Sequence, residues 1–152
     1  MGIPEKVAVL FRALAGRFGK KGNDGPGPDS GLWGEQQAEA LLERGGLGIL
    51  GRRVRVGRRG EIDLLARDGE ELVFVEVKTR ANEALGAPIS AVGRRKRHAL
   101  SRAAVRYLKT LRARHVRFRF DVVEVVGSPA AGVIRIRHVK NAFPLDACYR
   151  VN

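Results

Sequence analysis

The stretch from Gly60 to Arg80, GEIDLLARDGEELVFVEVKTR, constrains the fold more than any other part of this 152-residue chain. It reads as two apolar β-strands joined by a turn at Asp68-Gly69 or Gly69-Glu70. Side chains alternate faces along a strand. Val73, Val75 and Val77 therefore share one face, predicted to be buried, while Leu72, Phe74, Glu76 and Lys78 share the other. On the preceding strand Ile62, Leu64 and Ala66 form an apolar face, with Glu61 and Asp63 opposite it. Pairing across the turn places Glu61, Asp63, Glu76 and Lys78 on one face, with Asp63 opposite or diagonal to Glu76. An ionisable group in so apolar a setting is costly to desolvate, so these charges need partners, a metal or an exposed face.

The surrounding pattern supplies the rest of the fold. Asp29 or Ser30 is a candidate N-cap for a helix carrying Trp33, Ala38, Leu41 and Leu42 as an apolar stripe up to Gly45-Gly46. Strands are expected at Leu47 to Val56, Ile62 to Ala66 and Leu72 to Thr79, then a helix from about Ser90 to Ala113, then strands at Val116 to Val126 and Val133 to Val139. The order αβββαββ implies an α/β (α+β) domain with a mixed sheet flanked by helices, because the long second helix permits a crossover to a parallel strand. Ahead of residues 30–152, residues 1–29 read as a basic amphipathic helix followed by a flexible linker, since Gly16 to Gly31 holds six glycines and two prolines.

Charge bounds the partner. The net charge is +13, with 30% charged and 44% hydrophobic residues, which fits a soluble domain with a polyanionic partner. Leu85 to Phe120 holds eleven Lys or Arg and no acid, and Gly45 to Gly60 holds Arg52, Arg53, Arg55, Arg58 and Arg59 and again no acid. Solvated faces normally mix signs. Arg52, Arg53, Arg58, Arg59, Arg94, Arg95, Lys96 and Arg97 are therefore candidate phosphate contacts. Nucleic acid is the expected partner, DNA before RNA, with a membrane surface second. With 6% aromatic residues and no aromatic-rich strand, contact with a duplex or branched backbone is expected over stacking on single strands. No apolar run approaches the ~20 residues of a membrane-spanning helix, and a lone cysteine, Cys148, suits a reducing cytoplasm. A homodimer is a further expected association.

Three carboxylates and an amine meet on the hairpin, and like-charged carboxylates at this distance raise one another's pKa unless a cation neutralises them. Oxygen donors without a Cys or His cluster suit Mg²⁺ or Mn²⁺, and Lys78 is then placed to contact the attacking water or the scissile phosphate. The structural alternative is a solvated cross-strand charge cluster. Elsewhere, Asp121 is expected in an ion pair with Arg117 or Arg119 rather than in a catalytic role, Glu61 beside a nearby arginine rather than as a ligand, and Glu35 either at the site or in one solvated stripe with Glu39 and Glu43. His98, His115 and His138 share no metal-ligand spacing and are expected as surface or phosphate contacts. Cys148 is expected to behave as a small apolar residue.

Asp63, then twelve residues, then Glu76-Val77-Lys78 resembles the D…ExK motif of the PD-(D/E)xK, restriction-endonuclease-like nucleases, in spacing especially the archaeal Holliday-junction resolvases. The set GEQQAEALL, GEIDLLA, LVFVEVKTR, LGAPISAVGRRKRHAL and RFDVVEV, in that order, resembles the YraN-like family of uncharacterised bacterial proteins, over roughly Gly34 to Phe143. The resemblance implies a restriction-endonuclease-like fold and a metal-dependent endonuclease acting on DNA, branched DNA of repair or recombination included. It also implies Asp63 and Glu76 as metal ligands, the Val77 carbonyl as a third, Glu35 as a direct or water-mediated ligand and Lys78 as the catalytic lysine. Two departures stand out: Ile62 replaces the proline that names the superfamily, and the asparagine often found before GEID is absent. Neither removes a ligand. A non-catalytic nucleic-acid-binding protein that keeps the fold is the rival expectation.

Overall fold

The structure, a computed structural model, describes residues 30–82, 92–111 and 115–150. The expected N-terminal helix and linker lie outside these residues. Helix α1 spans Ser30–Arg44, strand β1 Gly48–Val56, β2 Gly60–Asp68, β3 Glu71–Arg80, helix α2 Arg94–Thr110, β4 Phe118–Ser128 and β5 Gly132–Phe143, followed by a 3-10 turn at Ala147–Tyr149. This is the expected αβββαββ order.

The sheet runs β1-β2-β3-β4-β5, with β3 and β4 parallel and every other pair antiparallel. A parallel neighbour requires a crossover, and α2 lies within it. β3 sits at the centre, where Leu72, Val73, Phe74 and Val75 are fully buried, which is why its sequence is a continuous apolar run rather than an alternation. Val73 and Val75 join Leu64, Ala66, Val123 and Val125 under Ala38 and Leu42 of α1. Leu72 and Phe74 join Leu65, Phe120 and Val122 under Leu100, Ala103 and Tyr107 of α2. The result is a three-layer α/β/α sandwich.

Several boundaries differ from the sequence reading for local reasons. α1 ends as expected at the glycine pair: Gly46 adopts φ 88°, and Gly46 and Leu47 donate N–H groups to the Glu43 and Leu42 carbonyls, a Schellman ending. The hairpin turn is Gly69-Glu70, with Asp68 paired to Glu71 and Gly69 at φ 59°, the conformation a two-residue turn asks of its first central residue. β5 continues past Val139 to Phe143. Its apolar pattern stops earlier, but Asn141 donates its N–H to the Asp121 carboxylate at 2.9 Å, and Phe143 stacks on Phe120 with ring centroids 4.9 Å apart.

The expected shared face of Ile62, Leu64 and Ala66 does not form. Ile62 packs with Val54 on the α2 side, whereas Leu64 and Ala66 pack on the α1 side. The change falls at Asp63 and its neighbour across the ladder, Arg53, which lies between the pairs Arg52–Leu64 and Val54–Ile62. Arg53 adopts φ 45°, a left-handed conformation that breaks strand alternation. Periodicity alone gives no sign of it.

Candidate functional site

The β2–β3 ladder stops at the pair Leu64–Val75. One position further, Asp63 and Glu76 face each other where the strands part, and the Asp63 carboxylate accepts the Val77 backbone N–H at 2.9 Å through Oδ2. The side chain replaces a missing ladder acceptor. A strand residue aims its N–H and C=O at the same neighbour, so the Val77 carbonyl opens onto the same gap.

Glu76 is 3% exposed. Its Oε1 lies 3.2 Å from Lys96 Nζ on the first turn of α2, and its Oε2 is buried with no hydrogen-bond partner. Burial, followed by the Asp63 charge, pushes the Glu76 carboxyl up to about 7, against the pull of Lys96 and Lys78. Burial opposes the charge on Lys96, but Glu76, Asp63 and Glu61 outweigh it and raise that amine. Lys78 stands two residues beyond Glu76 on the same face and pairs in register with Glu124 of β4. Glu124 is itself 2% exposed and lies 3.2 Å from Arg80.

Glu35 arrives from α1. Its carboxylate accepts from Arg53 Nε at 2.8 Å. Burial raises its pKa, Arg53 opposes this, and Asp63 and Glu61 add to it. Asp63 is thus within electrostatic reach of both Glu35 and Glu76, and Glu61 of Glu35 and Lys96, with Arg53, Lys78 and Lys96 among the cations nearby.

Gly34 sets the approach of α1. A Cβ built there would stand 1.8 Å from Thr79 Oγ1 on β3, so only glycine lets the helix come close enough to bring Glu35 to the hairpin. Gly34→Ala should push α1 off the sheet and destabilise the domain by about 1–3 kcal/mol, the usual cost of overpacking. Urea denaturation checks this; an unchanged midpoint would mean that α1 is not clamped at this point.

The eight candidate phosphate contacts divide into those held by a carboxylate, Lys96 by Glu76 among them, and those without one. Arg52 is held by Glu39, Nε to Oε2 at 2.6 Å, and Arg53 by Glu35, so both tie β1 to α1. Arg58, Arg59, Arg94, Arg95 and Arg97 are exposed, and none has a carboxylate partner among the described residues. Arg58 and Arg59 lie in the β1–β2 turn, and Arg94, Arg95 and Arg97 at the start of α2.

Other expectations resolve into packing. Asp121, fully buried, pairs with Arg119 at 2.9 Å and with His138 Nε2 at 2.7 Å, so the expected arginine pair forms but His138 is a buried-pair partner rather than a surface contact. His98 Nδ1 meets Asp146 Oδ2 at 2.8 Å. Cys148 is exposed rather than packed, and His98, Asp146 and Cys148 bring ligand atoms within 4.8 Å of one another, a group that could hold a metal ion. Its N, O and S donors suit a softer ion than Mg²⁺, and it is distinct from the hairpin carboxylates. The sequence gives no spacing signal for it, because His98 and Asp146 are 48 residues apart.

A five-stranded mixed sheet between two helices, with Asp63 and Glu76 at a strand parting in its centre, defines a restriction-endonuclease-like α/β domain. The uncharacterised protein family UPF0102 matches residues 34–125, a span holding Glu35, the hairpin, α2 and most of β4. The chain belongs to this family, the YraN-like family. A UPF0102 protein of Symbiobacterium thermophilum is 48% identical over 110 residues, covering 72% of this chain and 92% of the relative. A UPF0102 protein of Syntrophus aciditrophicus is 45% identical over 116 residues, 76% of this chain and 89% of the relative. One of Frankia alni is 42% identical over 113 residues, 74% and 92% respectively. No helix of the described residues is long and apolar enough to cross a membrane.

Proposed function

We propose that this chain is a metal-dependent nuclease hydrolysing phosphodiester bonds in DNA, with branched DNA of repair or recombination among its substrates. The observation that carries the reading is Glu76: a buried carboxylate with Oε2 unpartnered, beside Asp63 and next to two lysines. Burying one acid against another is costly, and such pairs cluster at functional sites. The donor set fits a hard divalent ion, since every candidate atom is an oxygen. Asp63 and Glu76 would hold Mg²⁺ or Mn²⁺, with the Val77 carbonyl and Glu35 as further donors. Such an ion supplies charge neutralisation at the phosphate and a more acidic water. Lys78 offers positive charge to the developing anion on the same face as Glu76, and Arg58, Arg59, Arg94, Arg95 and Arg97 grip flanking phosphates without reading sequence. The deciding experiment incubates purified protein with plasmid, linear, single-stranded and four-way-junction DNA in Mg²⁺, Mn²⁺ or EDTA. Cleavage of any substrate that EDTA abolishes supports the reading; intact DNA throughout overturns it.

One observation favours a non-catalytic nucleic-acid-binding protein: Lys96 already neutralises Glu76 from within the chain. Lys96→Met separates the two readings without any cleavage assay. If a divalent ion and Lys96 compete for Glu76, the variant gains metal affinity, and Mg²⁺ should raise its melting temperature more than that of wild type. Saturation to 100 Kd corresponds to about 2.7 kcal/mol. If the pair is purely structural, the variant is destabilised and Mg²⁺ restores nothing.

A further inference from the structure

Beyond β5 the chain folds back on α2, and between them lies an open cleft of about 440 Å³ lined by Arg94, Arg97 and Ser101 of the helix, Arg150 and the segment from Phe143 to Ala147. Its far wall is fixed. Asp146 donates its N–H to the buried Ser101 hydroxyl at 3.1 Å, and Arg150 Nε donates to the Leu145 carbonyl at 3.0 Å. Among the described lining residues the one carboxylate, Asp146, is occupied by His98 and by the Cys148 N–H. Three arginines therefore line a cleft whose only acid among the described residues is already paired, and none of the three has a carboxylate partner among the described residues.

The helix adds to the imbalance. α2 begins Arg94-Arg95-Lys96-Arg97 with no acid in its first turn and no side-chain cap at Gly93. A helix N-terminus carries partial positive charge and uncapped N–H groups, so four cations there are locally unfavourable unless an anion joins them. Lys96 meets Glu76. Arg94, Arg97 and Ser101, at i, i+3 and i+7, form a different face of the helix and turn to the cleft.

We propose that this cleft is a second phosphate-binding site, which takes a phosphate of a nucleic-acid strand that also reaches the hairpin carboxylates. Guanidinium groups suit the ligand because each presents a planar fork of donors to phosphate oxygens. The nucleic-acid ligand rests on the function proposed above; phosphate binding itself does not.

The test uses the full chain in EDTA, so that cleavage plays no part. Arg94→Gln/Arg97→Gln/Arg150→Gln is compared with Arg44→Gln/Arg102→Gln/Lys109→Gln, which removes the same charge outside the cleft lining. By fluorescence anisotropy the cleft variant should bind a short oligonucleotide at least tenfold more weakly than wild type, with a salt slope lower by about 1, the loss of one phosphate contact. The control should change affinity less than threefold. Inorganic phosphate should shift the Ser101 and Asp146 amide signals of wild type and not those of the cleft variant, whose otherwise unchanged spectrum shows that it folds. A tenfold loss confined to oligonucleotides with a terminal phosphate assigns the site to a strand end, and an equal loss with hydroxyl ends assigns it to an internal diester. Amide shifts with inorganic phosphate but unchanged oligonucleotide affinity would overturn the strand assignment. Equal affinities for the two triple variants, with no phosphate-dependent shifts, would overturn the site. Absence of cleavage by wild type would leave the binding result standing, so the two readings fail separately.

Discussion

Asp63→Asn and Glu76→Gln should each lower single-turnover DNA cleavage in Mg²⁺ by about 10²- to 10³-fold or more, the loss that follows removal of one electrostatic stabiliser. Both substitutions keep size and remove charge. Asn at 63 still offers an oxygen to the Val77 N–H, which Asp63 accepts at 2.9 Å, so the parting of β2 and β3 should survive. Gln at 76 relieves a buried charge next to Asp63. The native Glu76 pKa is raised to about 7 from 4.5, so its contribution to stability is fully present below pH 4.5 and lost as pH rises through about 7. Glu76→Gln should therefore be more stable relative to wild type at pH 8 than at pH 4. DNA binding in EDTA should hold or tighten, because fewer carboxylates repel the strand. Lys78→Met should lose rate by a similar factor and keep metal affinity. Cleavage kinetics and calorimetric metal titration are both required. Wild-type activity that survives loss of either carboxylate would remove the hairpin from the chemistry.

The largest stability effect is expected far from this site. Arg119 bridges Asp121 to Asp68 and Glu71, the residues flanking the hairpin turn, at 2.8–2.9 Å. Asp121 also takes His138 and the Asn141 N–H, and so fastens β4 to both neighbours. Removing one partner of a buried ion pair strands the other charge, so Asp121→Ala should cost about 3–5 kcal/mol. The pH dependence follows from the carboxyl. Burial would raise its pKa, but His138, Arg119 and the Asn141 N–H outweigh that and hold it below 3.8. A depressed native pKa stabilises the fold above the unfolded value and stops doing so as pH falls through the native one. The gap between wild type and Asp121→Ala should thus be full at pH 7 and narrow below pH 3.8. Urea midpoints across that range measure it; a constant gap would mean that lost packing, not charge, explains the effect.

The sequence by itself determined the elements and the central hairpin. Alternation and helical spacing are local properties, so the apolar run of β3, the stripe of α1 and the glycine turn could be read from neighbours a few residues apart. The same locality placed Asp63 one position beyond the apolar pairing and put Glu76 and Lys78 on one face. Tertiary structure decided what those charges meet. Lys96 reaches Glu76 only because α2 packs on this face of the sheet, and Glu35 reaches the hairpin only because Gly34 allows α1 against Thr79. Arg52 and Arg53, which composition groups with the phosphate contacts, are taken up by Glu39 and Glu35 on α1. The face change at Ile62 depends on the left-handed Arg53 in a neighbouring strand, and the pairing of His98 with Asp146 depends on the return of the C-terminal segment to α2. Such contacts join residues distant in sequence, and their partners are chosen by how layers pack rather than by any period in the chain. Charge type and spacing show which side chains need a partner; the packing of helices on the sheet determines which one each receives.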